Sequence, residues 1–221
     1  MIISPGRGYI FVHIPKTGGT SMALALEARA MKDDILIGDT PKAHRRRGRL
    51  KGVASAGRLW KHSRLADIEG LVSRDQMADL MVFTLVRNPW DRLVSYYHWL
   101  KDQSFDHPAV GLATRLTFSE FLNHPQIRAS IAANPYLTYV IDSAGVPRVN
   151  HFVRLEHLRA DLAPVEAHLG FRLEIGQSNR SDRPQDWRSL YSDDDAALVA
   201  KICAEDIARG GYQFHPGPNC P

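Results

Sequence analysis

The stretch Leu80–Val86 reads LMVFTLV, with Thr84 its one polar side chain. A strand with one face in water alternates apolar and polar residues, whereas a run without alternation needs cover on both faces. Such strands sit inside parallel sheets, whose crossover helices lie on either side, so this run points to an α/β fold. The next residues, RNPWDRLVSYYHWLK, supply a helix start directly after the strand. Asn88 suits the N-cap, Pro89 the first helical position, and Asp91 the positive end of the helix dipole. Trp90, Leu93, Val94 and Tyr97 fall at i, i+3, i+4 and i+7, which predicts the buried stripe and leaves Ser95 off it.

The rest of the chain alternates in the same way. Tyr9–Ile14 reads as a strand and Thr20–Met31 as a helix. Residues 33–60 read as irregular, and Asp67–Leu71 as a short helical piece. Thr117 and Glu120 form a capping-box pattern, and helix resumes over Gln126–Ala133. Val149–Glu156 reads as a strand, followed by a helix that closes at Gly170. One last helix runs from near Ser192 to Gly210 and Gly211. There is no internal repeat. The 221 residues suggest a single domain, 1–221, with a basic segment at about 32–64 and a lid or acceptor wall at about 102–148. The fold class is α/β, a three-layer arrangement with a central, mainly parallel sheet flanked by helices. Ligands bind such sheets at the carboxyl ends of the strands, so the loops after Ile14 and Val86 are the places to look.

The first of these loops reads HIPKTGGTS, His13 to Ser21. Strand, glycine turn and helix start make up the layout of a phosphate cradle. Gly18 and Gly19 let backbone N–H groups converge on an anion, Thr17, Thr20 and Ser21 add hydroxyl donors, and Lys16 adds a charge. A nucleotide P-loop ends in Gly-Lys-Ser/Thr, with its lysine late. Here the lysine precedes both glycines. In the second loop, Arg87 ends the buried strand and Ser95 lies two turns into the helix, and each can donate to a phosphate oxygen.

PKTGGTS after an apolar strand, with LVRNPWDRLVSYY some way on, resembles the sulfotransferases that use 3′-phosphoadenosine 5′-phosphosulfate (PAPS). The likeness is to the carbohydrate (heparan-sulfate) type, including its bacterial members. It extends to HFVRLEHLRADLAPVEAHLG, NRSDRP and EDIARGGYQF. The resemblance implies a P-loop-like α/β domain and transfer of a sulfuryl group from PAPS to an acceptor hydroxyl. Lys16 matches the family lysine at the phosphosulfate bridging oxygen, and Thr17, Gly18, Gly19, Thr20 and Ser21 match the rest of the 5′ loop. Arg87 and Ser95 match the 3′-phosphate pair. A late polar stretch, Asn179, Arg180 and Ser181, is assigned to the nucleotide on the same likeness.

In-line sulfuryl transfer needs a stabiliser for the leaving oxygen, fixed donors for the sulfuryl oxygens, and a base for the acceptor hydroxyl. Lys16 suits the first role. His62 is the first choice for the base, because the family places a histidine between the two nucleotide motifs and KHS resembles its local pattern. Lys61 and Arg64 beside it are expected to keep it unprotonated. His44 lies in the same interval within the arginine run, His13 abuts the loop, and His98 and His157 read as helix-surface residues. No His, Cys, Asp or Glu cluster has metal-ligand spacing, and no metal is expected. The two cysteines, Cys203 and Cys220, form no disulfide framework, and Cys203 reads as a core residue.

Charge is uneven. Nine of the 28 basic residues fall in 42–64, which holds no acid, so outside it the 24 acids outnumber the bases. The patch suits an anionic ligand, and Arg45, Arg46 and Arg47 are candidates for a hydroxylated, anionic carbohydrate acceptor. Two other classes remain: a kinase with an aberrant P-loop, and a non-enzymatic polyanion binder using this run. The first lacks Gly-Lys-Ser/Thr and the second lacks a nucleic-acid-binding motif, so no nucleic-acid partner is expected. No apolar run is long enough for a membrane anchor and no signal sequence is evident, so the expectation is a cytoplasmic enzyme.

Overall fold

The structure, a computed structural model, describes residues 1–176 and 183–215. In chain order its strands and helices are β1 (Ile2–Ser4), β2 (Tyr9–Val12), α1 (Gly19–Ala28), β3 (Ile35–Leu36), α2 (Pro41–Arg46), α3 (Arg74–Asp79), β4 (Met81–Val86), α4 (Pro89–Lys101), α5 (Pro108–Arg115), α6 (Phe118–Asn123), α7 (Pro125–Ala132), β5 (His151–Arg154), α8 (Leu158–Leu169), α9 (Asp193–Ile202) and α10 (Ala204–Gly210). They gather into two compact units. One comprises Met1–Val86 and the described residues from Tyr136 to 176. The other comprises Arg87–Pro135 and the described residues from 183 onward.

The first unit holds a sheet of order β3-β1-β2-β4-β5. β4 lies between β2 and β5, parallel to both, and all six of its residues are buried, as the unalternating run requires. Its one hydroxyl is satisfied internally, Thr84 Oγ1 donating to the Val12 carbonyl at 2.7 Å. β1 pairs antiparallel with β2 and with β3, so β1 alone runs against the other four. The sheet is therefore mainly parallel. Phe11 and Phe83 meet across β2 and β4 at 5.2 Å between ring centroids, and Met22 and Leu26 of α1 share this core with Leu162, Val165 and Leu169 of α8.

Three expectations about this unit change. β1 and β3 were not anticipated, because two or three residues show no period. The expected strands ending at Ile14 and spanning Val149–Glu156 are shorter. Residues 33–60 are not wholly irregular: they contain β3 and α2, the latter started by Thr40 and Pro41. Thr40 Oγ1 accepts the Ala43 N–H at 3.1 Å and donates to the buried Glu27 carboxylate at 2.7 Å, tying the basic helix to the end of α1.

The second unit is helical. In α4 the expected stripe of Trp90, Leu93, Val94 and Tyr97 is buried against Phe118, Phe121 and Trp187. Trp90 Nε1 donates to the Ala196 carbonyl at 3.0 Å, and the Tyr191 hydroxyl donates to the Trp90 carbonyl at 2.8 Å. Both halves of the Thr117–Glu120 capping box form. The last helix is divided at Cys203 into α9 and α10. Burial pushes the Cys203 thiol up to about 12, consistent with a packing role. Segment 102–148 contributes α5, α6 and α7. Among the described residues no helix is long and apolar enough to cross a membrane.

Candidate functional site

The parallel pairing of β2 with β4 sets Val12 beside Thr84, so the loop after β2 leaves the sheet at the carboxyl end of the central strand. The loop then makes two left-handed steps, Lys16 at φ 66° and Gly18 at φ 83°. Among the described residues Lys16 is the only non-glycine residue with positive φ, a conformation that costs an L-residue roughly 1–2 kcal/mol. Gly18 is the N-cap of α1 and offers no side-chain cap to the first-turn N–H groups. A helix start of this kind presents donors and partial positive charge to an anion.

The two glycines serve different ends. Gly18 supplies the left-handed turn. Gly19 has an ordinary φ, but a Cβ there would lie 2.0 Å from His13 Cδ2. The His13 imidazole therefore lies against the first residue of α1, and only glycine fits beneath it. Thr17 differs from expectation: fully buried, its hydroxyl donates to the Ile14 carbonyl at 2.9 Å, so it closes the loop and leaves only its backbone N–H for a ligand. Lys16, Thr20 and Ser21 are half-buried.

His62 reaches this loop from the 58–63 turn. Its Nδ1 lies 2.8 Å from the His13 carbonyl oxygen, and its ring meets the His13 ring edge-on at 4.6 Å. A carbonyl only accepts, so Nδ1 carries the hydrogen and Nε2 keeps its lone pair. Burial lowers the His62 pKa from 6.5 to about 4, opposed by the bond to the His13 carbonyl and aided by Lys61. This corrects the expected cause. Desolvation leads, Lys61 contributes less and is itself paired with Asp39 at 2.6 Å, and Arg64 lies over the Tyr139 ring at 5.5 Å. His13 is also held well below its usual range, chiefly by burial. His44 and His157 are exposed, and His98 Nδ1 bonds the Val94 carbonyl of its own helix at 2.9 Å.

The second set lies on the second unit. Arg87 is 8% exposed, and its Nε and Nη2 each lie 2.7 Å from Asp91 Oδ2. The other Asp91 oxygen takes Arg183 Nη1. Two guanidiniums around one carboxylate leave a net positive charge, and the fork of Arg87 is fixed in place. Ser95 follows Asp91 by one turn on the same helix face and is buried, although the stripe had left it on the surface. Asp91 was read from sequence for its place at the positive end of the helix dipole, and Arg183, though it lies in the NRSDRP stretch, was not singled out; nothing local marked it as the partner of a carboxylate so distant in the chain. Asn179, Arg180 and Ser181 lie outside the described residues.

In the basic segment, Arg46 is a structural residue: Nη1 donates to the Met31 carbonyl at 2.7 Å and to the Asp34 carbonyl at 3.3 Å. Arg45 and Arg47 are exposed. Among the described residues no group of three or more His, Cys, Asp or Glu is placed to hold a metal ion.

Residues 1–207 match the model described as the sulfotransferase family. No curated protein sequence matches the chain. Among solved structures the fold is similar to mouse sulfotransferase SULT7A1 complexed with PAP, with a TM-score of 0.51 and 15% identity, over 95% of this chain and 87% of that one.

Proposed function

The chain belongs to the sulfotransferase family, and from that premise we propose that it moves the sulfuryl group of PAPS to a hydroxyl on a carbohydrate acceptor. The observation that carries this reading is the loop itself. Lys16 is held at φ 66° two residues before Gly18, the N-cap of a helix start with no side-chain cap, and this place ahead of the glycines supports its role at the bridging oxygen between phosphate and sulfate. The PAP bound by the mouse enzyme is the product PAPS would leave, which supports the same donor.

In this reading the N–H groups at the start of α1, with Thr20 and Ser21, hold the 5′-phosphosulfate. Arg87 and Ser95 hold the 3′-phosphate, with Arg183 adding charge beside Asp91. His62 Nε2 takes the proton from the acceptor hydroxyl as that oxygen bonds to sulfur. The bond from sulfur to the bridging oxygen breaks, and Lys16 stabilises the charge that collects on the departing phosphate. His13 holds His62 in the tautomer that leaves Nε2 as acceptor.

The test is transfer of labelled sulfuryl from PAPS to a panel of hydroxylated saccharides, with the pH varied. Label should appear in the acceptor. His62 acts in its neutral form, and its pKa of about 4 means that activity persists through mild acid and is lost as pH falls through about 4. An ordinary histidine base would instead give an inflection near 6.5. The His62→Gln variant should lose turnover throughout. An inflection at 6.5 would mean that the base is not this buried imidazole.

A further inference from the structure

The turn that carries His62 has a second feature that sulfuryl transfer does not explain. Ser63 is fully buried and fixes it: Oγ accepts the Trp60 N–H at 2.8 Å and donates toward the Arg58 carbonyl at 2.9 Å and the Trp60 carbonyl at 2.8 Å. On this pinned backbone the Trp60 indole stands perpendicular to the His62 ring, with centroids 5.0 Å apart, and 44% of Trp60 is exposed. The guanidinium carbon of Arg58 lies 5.7 Å from the indole centroid. Among the described residues no carboxylate pairs with Arg58.

A lone exposed tryptophan needs no explanation. This one touches the proposed base, is held by a buried hydroxyl, and carries a cation near its ring. An acceptor bound on the indole therefore lies beside the His62 ring. A flat aromatic surface takes the C–H face of a sugar ring, and a guanidinium beside it takes a carboxylate. The exposed Arg45, Arg47, Arg49 and Lys51 add positive charge in the same segment. The geometry points to Trp60 and Arg58 as the acceptor subsite, one that selects an acidic saccharide. Trp60 stacks on the ring that bears the reacting hydroxyl, and Arg58 pairs with a carboxylate on that ring or its neighbour. This assignment rests on the reading of His62 as the base.

The test is calorimetric binding, with adenosine 3′,5′-bisphosphate present, of a uronic-acid-containing tetrasaccharide and of its carboxyl-reduced counterpart. The wild type should prefer the acidic form by about tenfold or more, the ratio expected of one charge-assisted contact. Arg58→Ala should erase that preference without changing affinity for the reduced form. Trp60→Ala should weaken both, Trp60→Phe should restore most of the loss, and nucleotide affinity should stay constant in all three. Equal binding of the two saccharides by the wild type, binding of neither, or unchanged affinity in Trp60→Ala would overturn the assignment. His62→Ala separates the two readings. It should bind the acidic saccharide and fail to sulfate it, whereas normal turnover would remove His62 as base whatever the binding data show.

Discussion

Lys16→Ala should lower the turnover of sulfuryl transfer by about 10²–10³-fold, the effect of deleting one group aimed at developing charge, while affinity for adenosine 3′,5′-bisphosphate should change little. The asymmetry follows from where the charge is needed. In the bound nucleotide the bridging oxygen carries little charge, and negative charge gathers there only as the bond to sulfur breaks. A second substitution separates chemistry from backbone. Lys16 occupies a left-handed conformation at φ 66° that glycine adopts without penalty. Lys16→Gly should therefore raise thermal stability, by about 1 kcal/mol on the usual cost of that conformation, and lose turnover as fully as the alanine variant. Retained turnover in the more stable glycine variant would show that the ammonium plays no part. Strain kept at a position that glycine could relieve is the pattern of a functional residue.

Arg87→Ala should have the second large effect, and on binding. Its guanidinium is buried and fixed by two contacts to Asp91, so its fork is preorganised for a second anion. Loss of charge-assisted bonds to a phosphate, with Asp91 left to Arg183 alone, should weaken adenosine 3′,5′-bisphosphate binding by about 10²-fold or more. The informative control is adenosine 5′-phosphosulfate, which lacks the 3′-phosphate. Its affinity should be the same in wild type and Arg87→Ala. An equal loss for both nucleotides would assign Arg87 to the integrity of α4 rather than to the 3′-phosphate.

β4 and α4 were legible because each carries a signal on the scale of the whole element: six buried residues without alternation, then Asn88 and Pro89 at a helix start. β1 and β3 were not, since strands of three and two residues are too short to show a period. The loop's residue types were legible and their division of labour was not. From sequence, Thr17 is a hydroxyl donor like Thr20; in the fold its hydroxyl closes the turn at Ile14. Gly19 looked like a second cradle glycine, yet its requirement is steric and comes from His13. Ser95 was placed off the buried stripe because that stripe was drawn from apolar residues alone, whereas α4 buries more of its circumference. The neutrality of His62 was read from its charged neighbours, but desolvation, which no sequence window reports, is the larger cause.

On the proposed reading, the position of Lys16 ahead of Gly18 and Gly19 separates a phosphosulfate cradle from a triphosphate loop. The measurement that tests this most directly is calorimetric titration of the wild type with adenosine 3′,5′-bisphosphate, without metal, against ATP with magnesium. The account predicts micromolar or tighter binding of the bisphosphate, about −8 kcal/mol or better, unaffected by a chelator, and much weaker binding of ATP. Tighter binding of magnesium ATP than of the bisphosphate would contradict it.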